Sequence, residues 1–236
     1  MNLSSKELKR QARETLNNRY GLPMLAFLLT QVIVMAISLP FDFMLPTNPN
    51  TSQLLIYTLA TFIISLLSIV LSCGLIKIHL HMARKEETKL GDLFYFFSHR
   101  PDRFLLAGLL MIGIVFLLML PAFALTIFSI FSHSDILLMV MAVVWIITIV
   151  ILIPVSFSFS LIYYILIEKP EDSLIEIFKE SRQLMKGNKW RLFYVNLSFM
   201  GMNILSLLSF GLGLLWVGPY MNQTLVEFYR NVIGEI

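Results

Sequence analysis

The sequence predicts an all-α integral membrane protein: a polytopic transmembrane bundle of about six spans with three short interfacial amphipathic helices. Three observations predict it. Of the 236 residues, 57% are hydrophobic and 14% are charged, whereas a soluble domain has about 25% charged residues. Apolar runs recur that are long enough to cross roughly 30 Å of hydrocarbon. Lysine and arginine are confined to the segments between alternate runs.

The first two apolar runs predict a hairpin within residues 22–76. Residues 22–45 and 54–76 each have the length of a spanning helix, at about 1.5 Å rise per residue. Residues 1–21 are polar and too long for the charged part of a signal peptide, and no A-x-A-like cleavage site follows the first run. We therefore expect the first run to be retained as a span, preceded by a cytoplasmic amphipathic N-terminus.

The next two runs predict a second hairpin within residues 104–167. Residues 104–131 suit one span. Residues 136–167 are too long for one straight span and too short for two spans with a loop. We expect one long, tilted helix with a kink at Pro154, because proline removes a backbone hydrogen bond and clashes with the preceding turn.

The C-terminal region, residues 192–236, allows two interpretations. In one, residues 192–217 form a fifth span and an outward tail follows. In the other, residues 192–209 and 214–232 form two spans, with a break at the sequence FGLG, where glycine permits positive φ. We favour six spans, because Arg230 then lies on the same side as the other basic residues.

The positions of the positive charges predict the orientation. All 18 lysines and arginines lie in residues 1–21, 77–103 and 168–191, apart from Arg230 in the tail. The two short loops that connect the paired spans have none. Basic loops stay on the cytoplasmic side, so we expect a multi-pass protein of the cell membrane with its N-terminus in the cytoplasm, and with six spans its C-terminus too.

Each basic segment contains a stretch with the apolar spacing of an amphipathic helix. The predicted apolar faces are Leu8, Ala12 and Leu16; Leu90, Leu93, Phe94 and Phe97; and Leu174, Ile177, Phe178, Ser181, Leu184 and Met185. Such helices lie in the interface plane with their apolar faces among the acyl chains. The sequence therefore indicates a threefold repeat of one interfacial helix and one hairpin. The alternative is that the three segments are alike because all of them meet the same interface.

A cluster of positive charge precedes the fifth apolar run. It comprises Arg182, Lys186, Lys189 and Arg191. At this position the cluster predicts contact with the anionic headgroups of the inner leaflet, worth about 1 kcal/mol for each basic residue. Anionic membrane lipid is thus the expected partner, and a membrane-protein partner is compatible with the same surface. Nucleic acid is not expected, because no soluble domain carries the charge.

Residues 181–230 contain a series of short motifs: S-x-x-L-M-K-G-x-K, L-S-F-x-G, G-P-Y and F-Y. In these motifs the chain resembles a widespread family of bacterial integral membrane proteins of unknown function. The resemblance is close over the last fifth of the chain and extends to the rest by topology. Met202 stands where the family usually has tryptophan. The resemblance implies a bundle of about six spans and brings no activity with it.

The sequence contains no recognisable catalytic motif or metal-ligand motif. His79 and His81 are two residues apart, so on a helix they point in different directions and cannot bind one metal as an i, i+4 pair does. Cys73 is the single cysteine, which excludes an intramolecular disulfide and a cysteine-rich zinc site. We therefore expect no cofactor, no metal and no enzymatic activity.

Polar residues in the last two spans are candidates for lining a path through the bundle. They are Asn196, Asn203, Asn222 and Glu227. An ionisable residue inside the membrane is a functional candidate, although hydrogen bonding between helices is the alternative interpretation. Two function hypotheses follow. The first is a non-enzymatic membrane protein that acts through lipid or protein interaction. The second is a small transporter or channel with a polar path lined by spans four to six.

Overall fold

A computed structural model describes residues 3–132 and 134–236, and all regular secondary structure in these ranges is helical, which confirms the predicted fold class. The order of elements follows the threefold pattern of a short helical segment before a long hairpin. The helices are α1 (Ser5–Leu16), α2 (Gly21–Met44), α3 (Thr51–Ala83), a 3₁₀ turn (Leu90–Phe94), α4 (Tyr95–Ser98), α5 (Pro101–Ser132), α6 (Asp135–Ser158), α7 (Ile162–Glu168), α8 (Leu174–Leu184), α9 (Lys189–Leu208) and α10 (Leu214–Val232).

Within the described part of the chain, five helices are long and apolar enough to cross a membrane. They are α2, α3, α5, the pair α6 and α7 counted together, and α9. Most of their apolar surface is not covered by protein; in the fourth, only 6% of the most apolar window is buried. Lipid is the solvent that such surfaces require, because water would leave them unfavourably exposed.

The sixth predicted span is helical but less apolar than the others. α10 follows a sharp turn in which Phe210 and Gly211 have φ values of +55° and +84°, at the break that the FGLG sequence predicts. It packs against α1, α2, α3 and α9. Near its end, the side-chain oxygen of Asn231 accepts a hydrogen bond of 3.2 Å from the amide of Leu3. α10 therefore returns the chain to the end of the molecule where it began.

The fourth predicted span consists of two helices separated by a short turn. Pro154 lies inside α6, and the helix is interrupted five residues later, at residues 159–161. The segment beyond the interruption packs into the core, where Leu161, Ile162 and Ile165 are at most 2% exposed. α6 before it is largely exposed. α7 therefore packs into the protein core, whereas most of α6 does not.

The core lies at one end of the molecule, which we call the basic end because all three basic segments meet there. The apolar face of α1 is part of this core: Leu8, Ala12 and Leu16 are fully buried, against α10, α3 and α9. The prediction that this face lies among acyl chains is wrong for α1. α10 and α3 supply a protein surface for it, and burial there removes the same apolar area from water.

The second amphipathic segment is not one helix. It forms the 3₁₀ turn and α4, and the change in helical period redistributes its side chains. Leu93 and Phe96 are buried, whereas Phe94 and Phe97 are 42% and 38% exposed, so the predicted face is wrong. Gly74 makes the packing of this segment possible, because a Cβ there would lie 2.0 Å from the carbonyl oxygen of Leu93.

The third amphipathic segment forms α8, which begins with a capping box. The hydroxyl of Ser173 accepts from the amide of Glu176, and the carboxylate of Glu176 accepts from the amide of Ser173 at 3.0 Å. Ile177 and Ser181 are fully buried. The hydroxyl of Ser181 donates to the carbonyl of Ser158 at 3.0 Å, which fixes α8 against the end of α6.

Candidate functional site

A chain of buried polar side chains crosses the basic end between α3, α10 and α1. Nδ1 of His79 lies 2.9 Å from Oε1 of Gln223. Nε2 of Gln223 donates to Glu227 at 3.0 Å, and the hydroxyl of Thr15 donates to the same carboxylate at 3.0 Å. Arg230 completes the chain with an ion pair to Glu227 at 2.8 Å. We call these five residues the buried polar network.

The donors and acceptors of the network determine one another. Because the amide nitrogen of Gln223 donates to Glu227, its oxygen is the acceptor for His79, and Nδ1 of His79 therefore carries the hydrogen. Nε2 of His79 is buried, and no group in the described part of the chain bonds to it. Glu227 is 1% exposed and receives three donors, so its negative charge is held inside the protein by hydrogen bonds and by Arg230.

Ion pairs extend the network to the surface. Arg230 also binds Glu235 at 2.8 Å, and Glu235 binds Arg84 at 2.7 Å. Arg84 in turn contacts Glu168, which accepts a hydrogen bond of 2.5 Å from the hydroxyl of Tyr229. Arg84 and, less strongly, Arg230 hold the pKa of the Glu235 carboxyl below its usual range. The C-terminal tail is thereby attached to α3 and α7.

A pocket of about 560 Å³ opens beside this network and gives solvent access to one side of it. Glu227 and Arg230 contribute to its wall, together with Gln11, Thr15 and Arg19. The pocket therefore reaches the network from the basic end. No group of three or more potential metal ligands occurs within residues 3–132 and 134–236.

The four residues predicted to contact anionic lipid have different environments. Arg182 and Lys186 are exposed, and Lys189 is half-buried. The indole of Trp190 beside them is 71% exposed. Arg191 instead faces the protein: it donates to the side chain of Asn188 at 2.7 Å, to the carbonyl of Leu3 at 2.9 Å and to the side chain of Asn231 at 2.6 Å.

Arg191 thus joins the start of α9 to the N-terminal segment and to the end of α10. Its guanidinium stabilises the packing of these segments, because the N–H groups that bond to protein acceptors are no longer available to water or headgroups.

The four predicted polar-path residues also have different environments. Asn196 donates to the carbonyl of Leu192 in its own helix at 3.0 Å. Asn203 and Asn222 are half-buried. Glu227 alone belongs to the buried polar network. The structure therefore places the carboxylate at the basic end with partners that were not among the predicted site residues.

The sequence contained one signal for these partners. Gln223 and Glu227 are four residues apart and must share a face of any helix that contains both. His79 lies 144 residues from Gln223, and Thr15 lies 212 residues from Glu227. Contacts of that kind depend on how separate helices pack, so no local pattern reveals them.

A family model described as "Protein of unknown function (DUF975)" matches residues 1–235. The similarity therefore extends beyond the motifs of residues 181–230 to nearly the whole chain. No curated protein and no solved structure matches it.

Proposed function

The chain belongs to this family of unknown function, and from that premise we propose that it is a non-enzymatic protein of the bacterial cell membrane that acts by binding anionic lipid at its basic end. Its five long apolar helices make it an integral membrane protein. The observation that carries the proposal is the exposed pair Arg182 and Lys186 beside the exposed Trp190.

This surface combines the two features that favour an anionic membrane interface. Basic side chains near the surface are attracted to anionic headgroups by about 1 kcal/mol each, and tryptophan is enriched at the level of the headgroups. Ile175 on the neighbouring helix α8 is 68% exposed and adds apolar contact. α8 therefore presents charge and apolar surface outwards while its buried side holds it to the protein.

The proposed orientation places the basic end in the cytoplasm. Leu3 and Asn231 are hydrogen-bonded, which supports both termini lying on one side of the membrane. A reporter active only outside the cytoplasm, fused after Pro49, is expected to be active, and the same reporter at the C-terminus is expected to be silent. The opposite pattern would contradict the orientation, and equal activity at both sites would contradict an even number of crossings.

A small transporter or channel is the alternative function. It needs polar groups that continue from one end of the bundle to the other. Support for it is confined to Glu227 and the pocket beside it, both at the basic end, and Asn196 bonds within its own helix.

The lipid proposal can be tested with Trp190 as the probe. Phenylalanine replaces Trp145 and Trp216, and the protein is reconstituted with brominated lipid, which quenches nearby tryptophan. Brominated phosphatidylglycerol is expected to quench Trp190 more than brominated phosphatidylcholine at equal mole fraction. The double variant R182Q/K186Q should lose most of this difference, since it removes the attractive charges.

Lys89 supplies a matched control, because K89Q removes an exposed charge from a different segment. It should leave the difference in quenching unchanged. Equal quenching of the parent protein by the two lipids would overturn the proposal.

A further inference from the structure

A second pocket, of about 600 Å³, opens at the basic end between α3, α4, α5 and α7. We call it the basic pocket. Its volume falls in the range of roughly 300–1,000 Å³ that is typical of small-molecule sites. The charged and titratable groups of its wall are Lys77, His81, His99, Arg100, Arg103 and Glu171. One carboxylate therefore faces three permanent cations, which makes the pocket attractive to anions.

Lys77 is the group that most clearly lacks a full set of partners. Its side chain is 11% exposed, and its ammonium lies 4.0 Å from the carboxylate of Asp92. The ammonium also lies 3.0 Å from the centre of the Tyr95 ring. Within the described residues no oxygen accepts a hydrogen bond from it, although an ammonium has three donors. A largely desolvated ammonium of this kind favours an anionic acceptor in the space that it faces.

Backbone carbonyls hold both arginines in place, and those of Arg103 leave its charge uncancelled. Arg103 donates to the backbone carbonyls of Pro170 and Asp172. Arg100 donates to the carbonyl of Pro170 at 3.2 Å and forms an ion pair of 2.7 Å with Glu171. Carbonyl contacts fix the planes of the guanidinium groups and leave further N–H donors for a ligand. Such pre-positioned guanidinium groups suit the bidentate binding of phosphate.

The deeper wall of the pocket is apolar. Phe96 and Phe104 are 5% and 2% exposed, with ring centres 4.4 Å apart, and Leu166 and Ile167 complete this side. Phe104 lies on α5 and Ile167 lies on α7, and both helices are parts of membrane-spanning segments. The apolar side is thus continuous with surface that lipid covers, so an amphiphile fits the pocket better than a small soluble anion does.

We infer that the basic pocket binds a phosphate monoester, carried as the headgroup of an anionic lipid whose acyl chains lie along α5. The inference rests on the proposed function and gives it a specific site and ligand class. A phosphate monoester, with a charge of about −1.5 to −2 at pH 7, has three acceptor oxygens, one for each of the three cations. Arg103 also brings a charge that neither Glu171 nor Asp92 pairs with. A phosphodiester headgroup carries only one negative charge and has one fewer free oxygen, so it cannot give each cation an oxygen of its own.

The test is native mass spectrometry of the full chain in detergent, with phosphatidic acid and phosphatidylglycerol as the two lipid probes. The parent protein is expected to bind phosphatidic acid about tenfold more tightly than phosphatidylglycerol. K77M and R103Q should each weaken phosphatidic acid binding by about tenfold, because each removes a charged donor. K77R, which keeps the charge, should retain most of the affinity.

Controls separate a lost site from a lost fold. K89Q removes an exposed charge outside the basic pocket and should leave phosphatidic acid binding unchanged. Thermal unfolding of each variant in detergent identifies any variant that fails to fold. If K77M fails to fold, R103Q and R100Q are used for the test instead. Phosphatidic acid binding that is unchanged in folded K77M and R103Q would overturn the inference.

The soluble headgroup glycerol 3-phosphate distinguishes the two sources of a phosphate monoester. If glycerol 3-phosphate binds more weakly than phosphatidic acid, and R103Q abolishes that binding, the ligand is a lipid. If the two bind equally tightly, the assignment to lipid is overturned. Stronger quenching of Trp190 by anionic lipid, together with equal binding of the two lipids here, would reject this inference and leave the proposed function standing. Equal quenching at Trp190 rejects the proposed function itself.

Discussion

The hydroxyl of Thr15 donates a hydrogen bond of 3.0 Å to the carboxylate of Glu227, a residue 212 positions further along the chain. The bond joins α1, which precedes the first span, to α10, which is the last helix. Glu227 is 1% exposed, so the contact lies inside the protein. The first amphipathic helix is therefore part of the core of the basic end, and the start and end of the chain stabilise each other.

Replacing Glu227 with leucine is expected to destabilise the protein strongly. Arg230 and Gln223 would each lose an acceptor in a site that water barely reaches, and breaking a buried ion pair from one side costs about 3–5 kcal/mol. Because Arg230 keeps its second partner Glu235, we expect about 3 kcal/mol. Thermal unfolding in detergent, followed by circular dichroism, measures the change.

Two further variants show whether charge or hydrogen bonding causes that loss. E227Q keeps an acceptor oxygen and should be less destabilising than E227L, whereas T15V removes one hydrogen bond and should cost about 1 kcal/mol. If E227L unfolded at the temperature of the parent protein, the carboxylate would not be a structural element of the network.

Replacing Gly74 with alanine is expected to separate the 3₁₀ turn from α3. The new Cβ would lie 2.0 Å from the carbonyl oxygen of Leu93, and backbone atoms cannot move aside as a flexible side chain can. Overpacking of this kind costs about 1–3 kcal/mol. Gly113 gives a matched control in α5, since a Cβ there meets no atom within 4 Å; G113A should be neutral or slightly stabilising in the same unfolding measurement. Equal effects of the two substitutions would contradict the close approach.

Arg191 and Arg182 are expected to differ although both belong to the predicted lipid-contact cluster. R191Q removes hydrogen bonds to Asn188, Leu3 and Asn231, and charged hydrogen bonds of this kind contribute about 1.5–3 kcal/mol. R182Q changes an exposed side chain and should lie within about 0.5 kcal/mol of the parent protein. Quenching at Trp190 should respond to the change at Arg182 and not to the change at Arg191. The reverse result would mean that Arg191 faces the membrane.

Attachment of the C-terminal tail is expected to depend on pH through Glu235. Arg84 and Arg230 lower the pKa of this carboxyl from its ordinary value of 4.5. A carboxyl with a lowered pKa stabilises the folded state fully above its ordinary pKa, and the contribution is lost as the pH falls through the lowered pKa. The tail should therefore be held at pH 7 and released in acid below pH 4.5.

A spin label on I236C, in a chain whose Cys73 has been replaced, reports the mobility of the tail. The label should be immobilised at pH 7 and become mobile in acid. In E235Q the label should be mobile both at pH 7 and in acid, because this variant lacks the charge that binds Arg84. Identical mobility of E235Q and its parent at pH 7 would contradict the role of this carboxylate.

Local patterns predicted the elements of the fold well. The long apolar runs and the FGLG break each depend on residues close together in the chain, and the helices begin and end near the predicted positions. The interruption at residues 159–161 was not predicted, and it lies five residues beyond Pro154, where a kink was expected. The predicted apolar face of the second amphipathic segment was wrong, because this segment forms a 3₁₀ turn that packs on Gly74.

The candidate site was predictable only in part. Glu227 was identified from its charge within a spanning run, and Arg182 and Lys186 from their position before one. His79 and Thr15, which complete the buried polar network, were not identified, because each has a common local role at the end of a helix. The contribution of Arg191 was also misjudged, since its acceptors Leu3 and Asn231 lie far from it in the sequence.

The amino-acid sequence by itself determined that the protein is helical and membrane-embedded and where its hairpins lie. Run length, hydropathy and charge position are local quantities that lipid and water act on directly. Only the tertiary structure decided that α1 joins the core, that Thr15 and His79 meet α10, and that Lys77 faces a pocket with Arg103. These contacts join segments distant in the chain, and their energies exist only after the helices have packed together.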